Sequence, residues 1–128
     1  MAKQFSPGRK SFASSPHIFF LGALLVSTVA NAAYIGDELR ADLAATESSM
    51  NGAKLDVAGL VADARATAYI EGVSTMLSSN NVVCFPPHVK VGQTDAIVLK
   101  YLRANPEVWS SSAAVAVTKA LRQSFPCP

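Results

Sequence analysis

The sequence predicts an all-α protein: a small bundle of three to four helices stapled by one disulfide, following a cleaved signal peptide. Three observations carry this. Half of the 128 residues are apolar and 16% are charged, against about a quarter in an average chain, which is too apolar a balance for disorder. The chain holds 21 alanines, the strongest helix formers, and few β-branched runs. Its two cysteines, Cys84 and Cys127, both lie beyond a basic, apolar beginning.

That beginning reads as an address. Lys3, Arg9 and Lys10 precede the uncharged stretch Ile18 to Val29, and Ala30-Asn31-Ala32 follows it. A basic start, a short apolar run and a small-x-small site form a secretory signal peptide, expected to span 1-32 with cleavage after Ala32. The run is short for a bilayer helix, which needs about 20 residues. The rival is an uncleaved anchor, which would be the chain's one contact with a membrane. Export to the periplasm leaves a domain of residues 33-128. That domain keeps eight basic and all nine acidic residues, a net charge of −1. The formal +2 of the whole chain therefore belongs to the leader. No basic run interleaved with aromatics is present, so nucleic acid is not an expected partner.

The helices follow in order. Asp37 to Ala44 forms a short first helix, with acids in its first turn where the dipole favours them. Ser48 to Gly52 is a break. A long helix over Lys54 to Ser78 carries an apolar face of Leu55, Val61, Ala62, Ala66, Tyr69, Ile70, Val73, Met76 and Leu77. Within it, Gly72 offers a partner helix a place to approach closely. Ser79 to Val91 is a connector, since Pro86-Pro87 forbids a helix. The next helix starts at Gly92 or Thr94, turns Ile97, Val98, Tyr101 and Leu102 to one side, and stops before Pro106. Ser110-Ser111-Ser112 offers N-caps for a last helix that buries Ala114, Val117, Leu121 and Phe125. An even cysteine pair in an oxidising compartment reads as a disulfide, here tying the end of the last helix to the start of the third.

Chemistry is scarce. His88 is the domain's single histidine and sits in a Pro-rich loop. Asp95 and the serines 110 to 112 are the nearest partners for a nucleophilic system, and none stands in a nucleophile elbow. A four-ligand zinc site would need every Cys and His, including His17 of the leader, so no metal and no cofactor is expected. The better candidate is a partner-binding surface. The loop from Asn80 to Lys90 is long, stiffened by prolines and pinned by the disulfide, so it loses little entropy on binding. Asn81, Phe85, Pro87, His88 and Lys90 are its candidate contacts, with a plain connector as the rival reading. Trp109 joins them as an exposed anchor, or else plugs the core edge.

Several short motifs then fall in a telling order. They are Tyr69-Ile70-Glu71-Gly72-Val73, Cys84-Phe85-Pro86-Pro87, Val91-Gly92-Gln93, Val98 to Leu102 with Asn105-Pro106, and Ala120-Leu121 with Phe125-Pro126-Cys127. From Leu55 to Cys127 the chain resembles the Rap/Tai immunity family of type VI secretion systems. The resemblance implies a small, disulfide-bonded, helical periplasmic protein, commonly a homodimer. It implies inhibition of a secreted peptidoglycan amidase effector by blocking its cleft, with no catalysis of its own. The family's disulfide corresponds to Cys84 and Cys127. Members often carry another cysteine pair around the YIxGV helix, and Ala66 stands where one of those cysteines would be. Tyr34 to Gly52 lies outside the resemblance. The alternative reading is a small periplasmic chaperone resembling the acid-stress helical chaperones. An enzyme is the third.

Overall fold

A computed structural model describes residues 33–128. The predicted signal peptide, with His17, lies outside the described residues. Four helices make up the fold: α1 (Gly36–Met50), α2 (Val57–Ser79), α3 (Val91–Ala104) and α4 (Ala113–Ser124). A single 3-10 turn, Pro106–Val108, joins α3 to α4. Among the described residues there is no strand beyond one isolated bridge between Ile35 and Ser112.

The helix ends show why the chain breaks where it does. α1 runs on through Ser48, past the expected break, and Ser48 Oγ donates back to the Ala44 carbonyl. The turn falls instead at Asn51-Gly52, where Gly52 adopts φ +83°, a conformation open to glycine. α2 begins at Val57 because Asp56 caps it, its carboxylate accepting from the Gly59 N–H at 2.8 Å. Pro106 ends α3 as expected, with Asn105 as its C-cap. Ser112 occupies the N-cap position of α4 but makes no side-chain cap. The backbone satisfies both neighbouring helix starts instead. Gly36 N–H donates to Ser111 O at 2.9 Å, and Ala113 N–H donates to Tyr34 O at 2.8 Å. Gly36 is required there, because a Cβ would lie 2.7 Å from the Val108 carbonyl oxygen.

The core forms where all four helices meet. Leu39, Leu43, Ile70, Leu102 and Leu121 are its largest fully buried aliphatic side chains, joined by Val83, Val98 and Val117. α4 buries Ala113, Ala116, Val117, Ala120 and Leu121. Ala114 is half-buried, and Phe125 closes the end. Small residues at 113, 116 and 120 set how near α4 comes to its neighbours.

The expected face of α2 needs correction. Ala66, Ile70 and Leu77 are buried, and Tyr69 and Val73 pack against the core. Val61 and Met76 are exposed, as are Val57 and Leu60. The helix is apolar or alanine on nearly every side, so periodicity does not single out the inward stripe. Gly72 faces open space, and no helix among the described residues approaches it.

Among the described residues, one ion pair lies within a helix and two tie helices together. Arg40 holds Asp37 within α1, Arg103 of α3 grips Glu47 of α1 through two hydrogen bonds of 2.7 and 2.8 Å, and Arg65 of α2 grips Asp42 of α1. The last is the most buried. Arg65 Nε and Nη2 donate to the two Asp42 oxygens, and Tyr34 Oη donates to Oδ2 as well. The Arg65 guanidinium also lies over the Tyr34 ring, which meets Tyr69 edge-on. Burial pushes the Asp42 carboxyl up. The hydrogen bonds from Arg65 and Tyr34, with the Arg65 charge, outweigh burial and hold it below its ordinary value.

A depressed carboxyl contributes stability that is present above its unfolded value and is lost as pH falls through its folded one. Asp42→Asn is therefore expected to unfold at lower urea than wild type at neutral pH. The gap should narrow as pH falls below the ordinary aspartate range and through the depressed folded value. Urea titrations across that span check it, and a gap that stays constant in acid would disprove the role. Arg65 is 58% exposed, so solvent screening moderates the effect.

Candidate functional site

The connector between α2 and α3 is the part of the molecule that is both fixed and presented. Asn80 closes α2, its Nδ2 donating to the Met76 carbonyl at 2.8 Å. Asn81 follows with φ +55°, which turns the chain back. Val83 then plugs into the core, and Cys84 N–H donates to Phe125 O at 3.1 Å. The disulfide Cys84–Cys127 sits beside that bond, with Cα atoms 4.9 Å apart. The Phe85 ring meets Phe125 edge-on at 5.0 Å between centroids. Val89 packs on the core, and Lys90 is the N-cap residue of α3. Pro86, Pro87 and His88 are left exposed between these anchors.

His88 holds φ +70°, a left-handed conformation that costs an L-residue energy. The proline before it and the packed Val89 after it fix the chain on either side. The tip is therefore held in one uncommon shape, as binding loops often are.

Below the tip lies a cleft of about 410 Å³. One wall is the C-terminal half of α2, with Glu71, Ser74, Thr75, Ser78 and Ser79. The other is the loop and the start of α3, with Phe85, Pro86, His88, Val89, Lys90, Val91 and Thr94. The Ser74 hydroxyl is buried with no hydrogen-bond partner. Glu71, His88 and Lys90 supply the titratable groups. The cleft is thus mixed: aromatic and aliphatic side chains beside hydroxyls and opposite charges.

The six candidate contacts divide. Phe85, His88 and Lys90 line the cleft, and Pro87 stands exposed next to them. Asn81 lies apart, in a shallow recess with Val82, Arg122, Pro126 and Cys127. Trp109 lies apart too. It is half-buried after the 3-10 turn, its Nε1 donates to Leu102 O at 2.7 Å, and the Arg40 guanidinium covers its ring at 4.4 Å.

Sequence reasoning missed the α2 wall. Its signal was present, since Glu71, Ser74 or Thr75, and Ser78 recur at helical spacing through a segment read only for its apolar face. Asp95 is buried between α2 and α3, where its Oδ2 accepts from Thr67 Oγ1. Among the described residues, no group of three or more His, Cys, Asp or Glu is placed to hold a metal ion. Nor is any helix among them long and apolar enough to cross a membrane.

Residues 36–127 match the sequence pattern of the Rap1a immunity proteins, which takes in all four helices and both cysteines. The chain belongs to the Rap1a immunity protein family. The match starts at the first residue of α1, so this helix, which the motifs alone did not reach, is part of the Rap1a domain. The helical fold and the Cys84–Cys127 bridge agree with what the resemblance implied. Comparison with curated proteins finds no match. Immunity proteins act by binding a partner effector protein, and the Rap1a family ties this chain to type VI effector immunity. In the Rap1a chain, the YIxGV motif is a packing motif, with Ile70 in the core and Gly72 on the surface.

Proposed function

We propose that the protein is a periplasmic immunity protein that binds and inhibits a peptidoglycan amidase effector of a type VI secretion system. The leader, residues 1 to 32, would direct export. The surface it offers is the braced loop from Cys84 to Lys90 with the cleft beside it. One observation carries this reading. The exposed tip Pro86-Pro87-His88 is anchored on both sides, by the disulfide and Phe85 before it and by Val89 after it. A preorganised tip loses little conformational freedom on docking, so most of its contact energy becomes affinity. Blocking an enzyme's cleft calls for such a rigid projection.

The test is binding to amidases encoded beside this gene or in competing bacteria, with their activity on peptidoglycan as readout. Pro87→Asp and Lys90→Glu alter exposed side chains and leave the core intact. Each is expected to weaken binding at least tenfold, about 1.4 kcal/mol, with unchanged thermal unfolding. Failure to bind any cell-wall amidase would overturn the proposal. Self-association belongs to it as well, and sedimentation at micromolar concentration decides that point.

The exposed apolar residues of α2, Val57, Leu60 and Val61 at its start and Met76 near its end, favour a second reading as a chaperone. Suppression of client aggregation at low pH, without any effector partner, would support it.

A further inference from the structure

Asp95 is a carboxylate in an unusual position. It lies in the second turn of α3, 2% exposed, against α2. Its Oδ2 accepts from Thr67 Oγ1 at 3.0 Å. Its Oδ1 is buried and accepts from nothing. The ion pairs among the described residues join other acids to the arginines: Asp37 to Arg40, Asp42 to Arg65, Glu47 to Arg103.

The charges around Asp95 make its position worse. From α2, Asp63 and Glu71 both act on it with their own negative charge. Arg65, two residues before Thr67, is turned to Asp42 on the other side. From α1, the charged side chain directed at α3 is Glu47, already held by Arg103. From the Pro-rich loop, His88 and Lys90 line the cleft with Thr94, the residue before Asp95. An unpaired buried charge is among the costliest features a fold can hold, and the usual outcome is neutralisation.

We propose that Asp95 takes up a proton within the folded protein and acts as an acid-strengthened clamp between α2 and α3. The proton goes to Oδ2, and the resulting acid hydroxyl donates to Thr67 Oγ1. The Thr67 hydroxyl, a donor to the carboxylate, becomes the acceptor. Oδ1 is left as a neutral carbonyl oxygen, whose burial without a partner costs far less than that of a charged one. Protonation also removes the repulsion from Asp63 and Glu71. Burial first, and those two acids next, push the carboxyl above its ordinary value, while the Thr67 hydrogen bond opposes them.

A carboxyl raised in the fold penalises folding above its folded value, and the penalty vanishes as pH falls toward the unfolded one. Asp42 and Glu47 behave oppositely and weaken the fold in acid. The clamp thus offsets part of the acid loss elsewhere. It also ties together the two walls of the cleft, one carrying Glu71 and the other Thr94, whatever partner fills that cleft.

Two measurements on the intact, oxidised chain test this. Carboxyl carbon NMR across an acid titration reads the Asp95 midpoint in the wild type, with no variant needed. It is expected above the ordinary midpoint of an exposed aspartate. Urea unfolding of wild type and Asp95→Asn gives the second readout. The amide of that variant would keep the partner for Thr67 and remove the charge for good. The unfolding constant of the variant is expected below that of wild type at neutral pH. The expected ratio is tenfold for every whole pH step by which the Asp95 midpoint exceeds that of an exposed aspartate. The difference should fade as pH drops through that midpoint. A midpoint at or below that of exposed aspartates would overturn the proposal. So would a stability difference that does not change with pH.

Discussion

Cys84→Ala/Cys127→Ala is expected to lose about 4 kcal/mol of stability relative to the oxidised chain. The bridge spans 43 residues of sequence, and closing a loop of that size removes much of the freedom of the unfolded chain. Small domains are stable by about 5–15 kcal/mol in all, so this is a large fraction. The loss should reach the loop before the helices. Cys84 is joined to the α4 end by the bridge, by its N–H bond to Phe125 O and by the adjacent Phe85–Phe125 contact. Without the bridge, one hydrogen bond and one aromatic contact hold that corner. Urea unfolding of the oxidised protein and the double variant measures the global loss. Amide exchange at residues 82 to 90 measures the local one. A loss below about 1 kcal/mol would mean that the unfolded chain is already compact across this span.

Ile70→Ala is expected to cost about 2–5 kcal/mol, whereas Val61→Ala should stay within about 0.5 kcal/mol. Ile70 is fully buried at the centre of the four-helix core, and its truncation leaves a void that a close-packed interior fills only in part. Val61 is 59% exposed and lies earlier on the same helix. Chemical denaturation of both variants settles the contrast. Equal costs would mean that the outer face of α2 is covered in solution, and sedimentation would then show the cover.

Those two residues also mark how far the sequence could be read. Both belong to the apolar face expected for α2, and one of them points away from the core. Where polar residues flank an apolar stripe, as in α3 and α4, the inward side was legible: Val98, Leu102, Val117 and Leu121 all reached the core. In α2 alanine and valine recur on several sides, and only packing against three other helices selects among them. Punctuation was legible where it is chemically strong. Pro106 stopped α3, and the cysteine pair formed the disulfide. Weak punctuation misled. Ser48 was taken into α1, where its hydroxyl bonds to Ala44. Ser112 gave up its capping role to a backbone bridge with Ile35, a partner too remote in sequence for any local pattern to announce.

The candidate site was legible as a loop and hidden as a cleft. Prolines and a cysteine announced a stiff connector. The wall that faces it comes from the polar side of α2, and only the docking of α3 brings the two together. Nothing local in the chain marks Asp95 as buried either, because its surroundings come from α2.

The paired backbone bonds between residues 34 to 36 and 111 to 113 have a consequence for the order of assembly. The first turn of α1 is completed by carbonyls of residues 109 and 111, and the first turn of α4 by the carbonyl of residue 34. Cys84 likewise waits for Cys127. The first closure joins the start of the domain to its last helix, and the second joins its middle to its end. A chain emerging from one end can form α2 alone, but neither closure exists until nearly all of it has arrived. The two helix starts and the bridged corner are therefore complete only when both sides of each closure are present, and the candidate loop is braced only then.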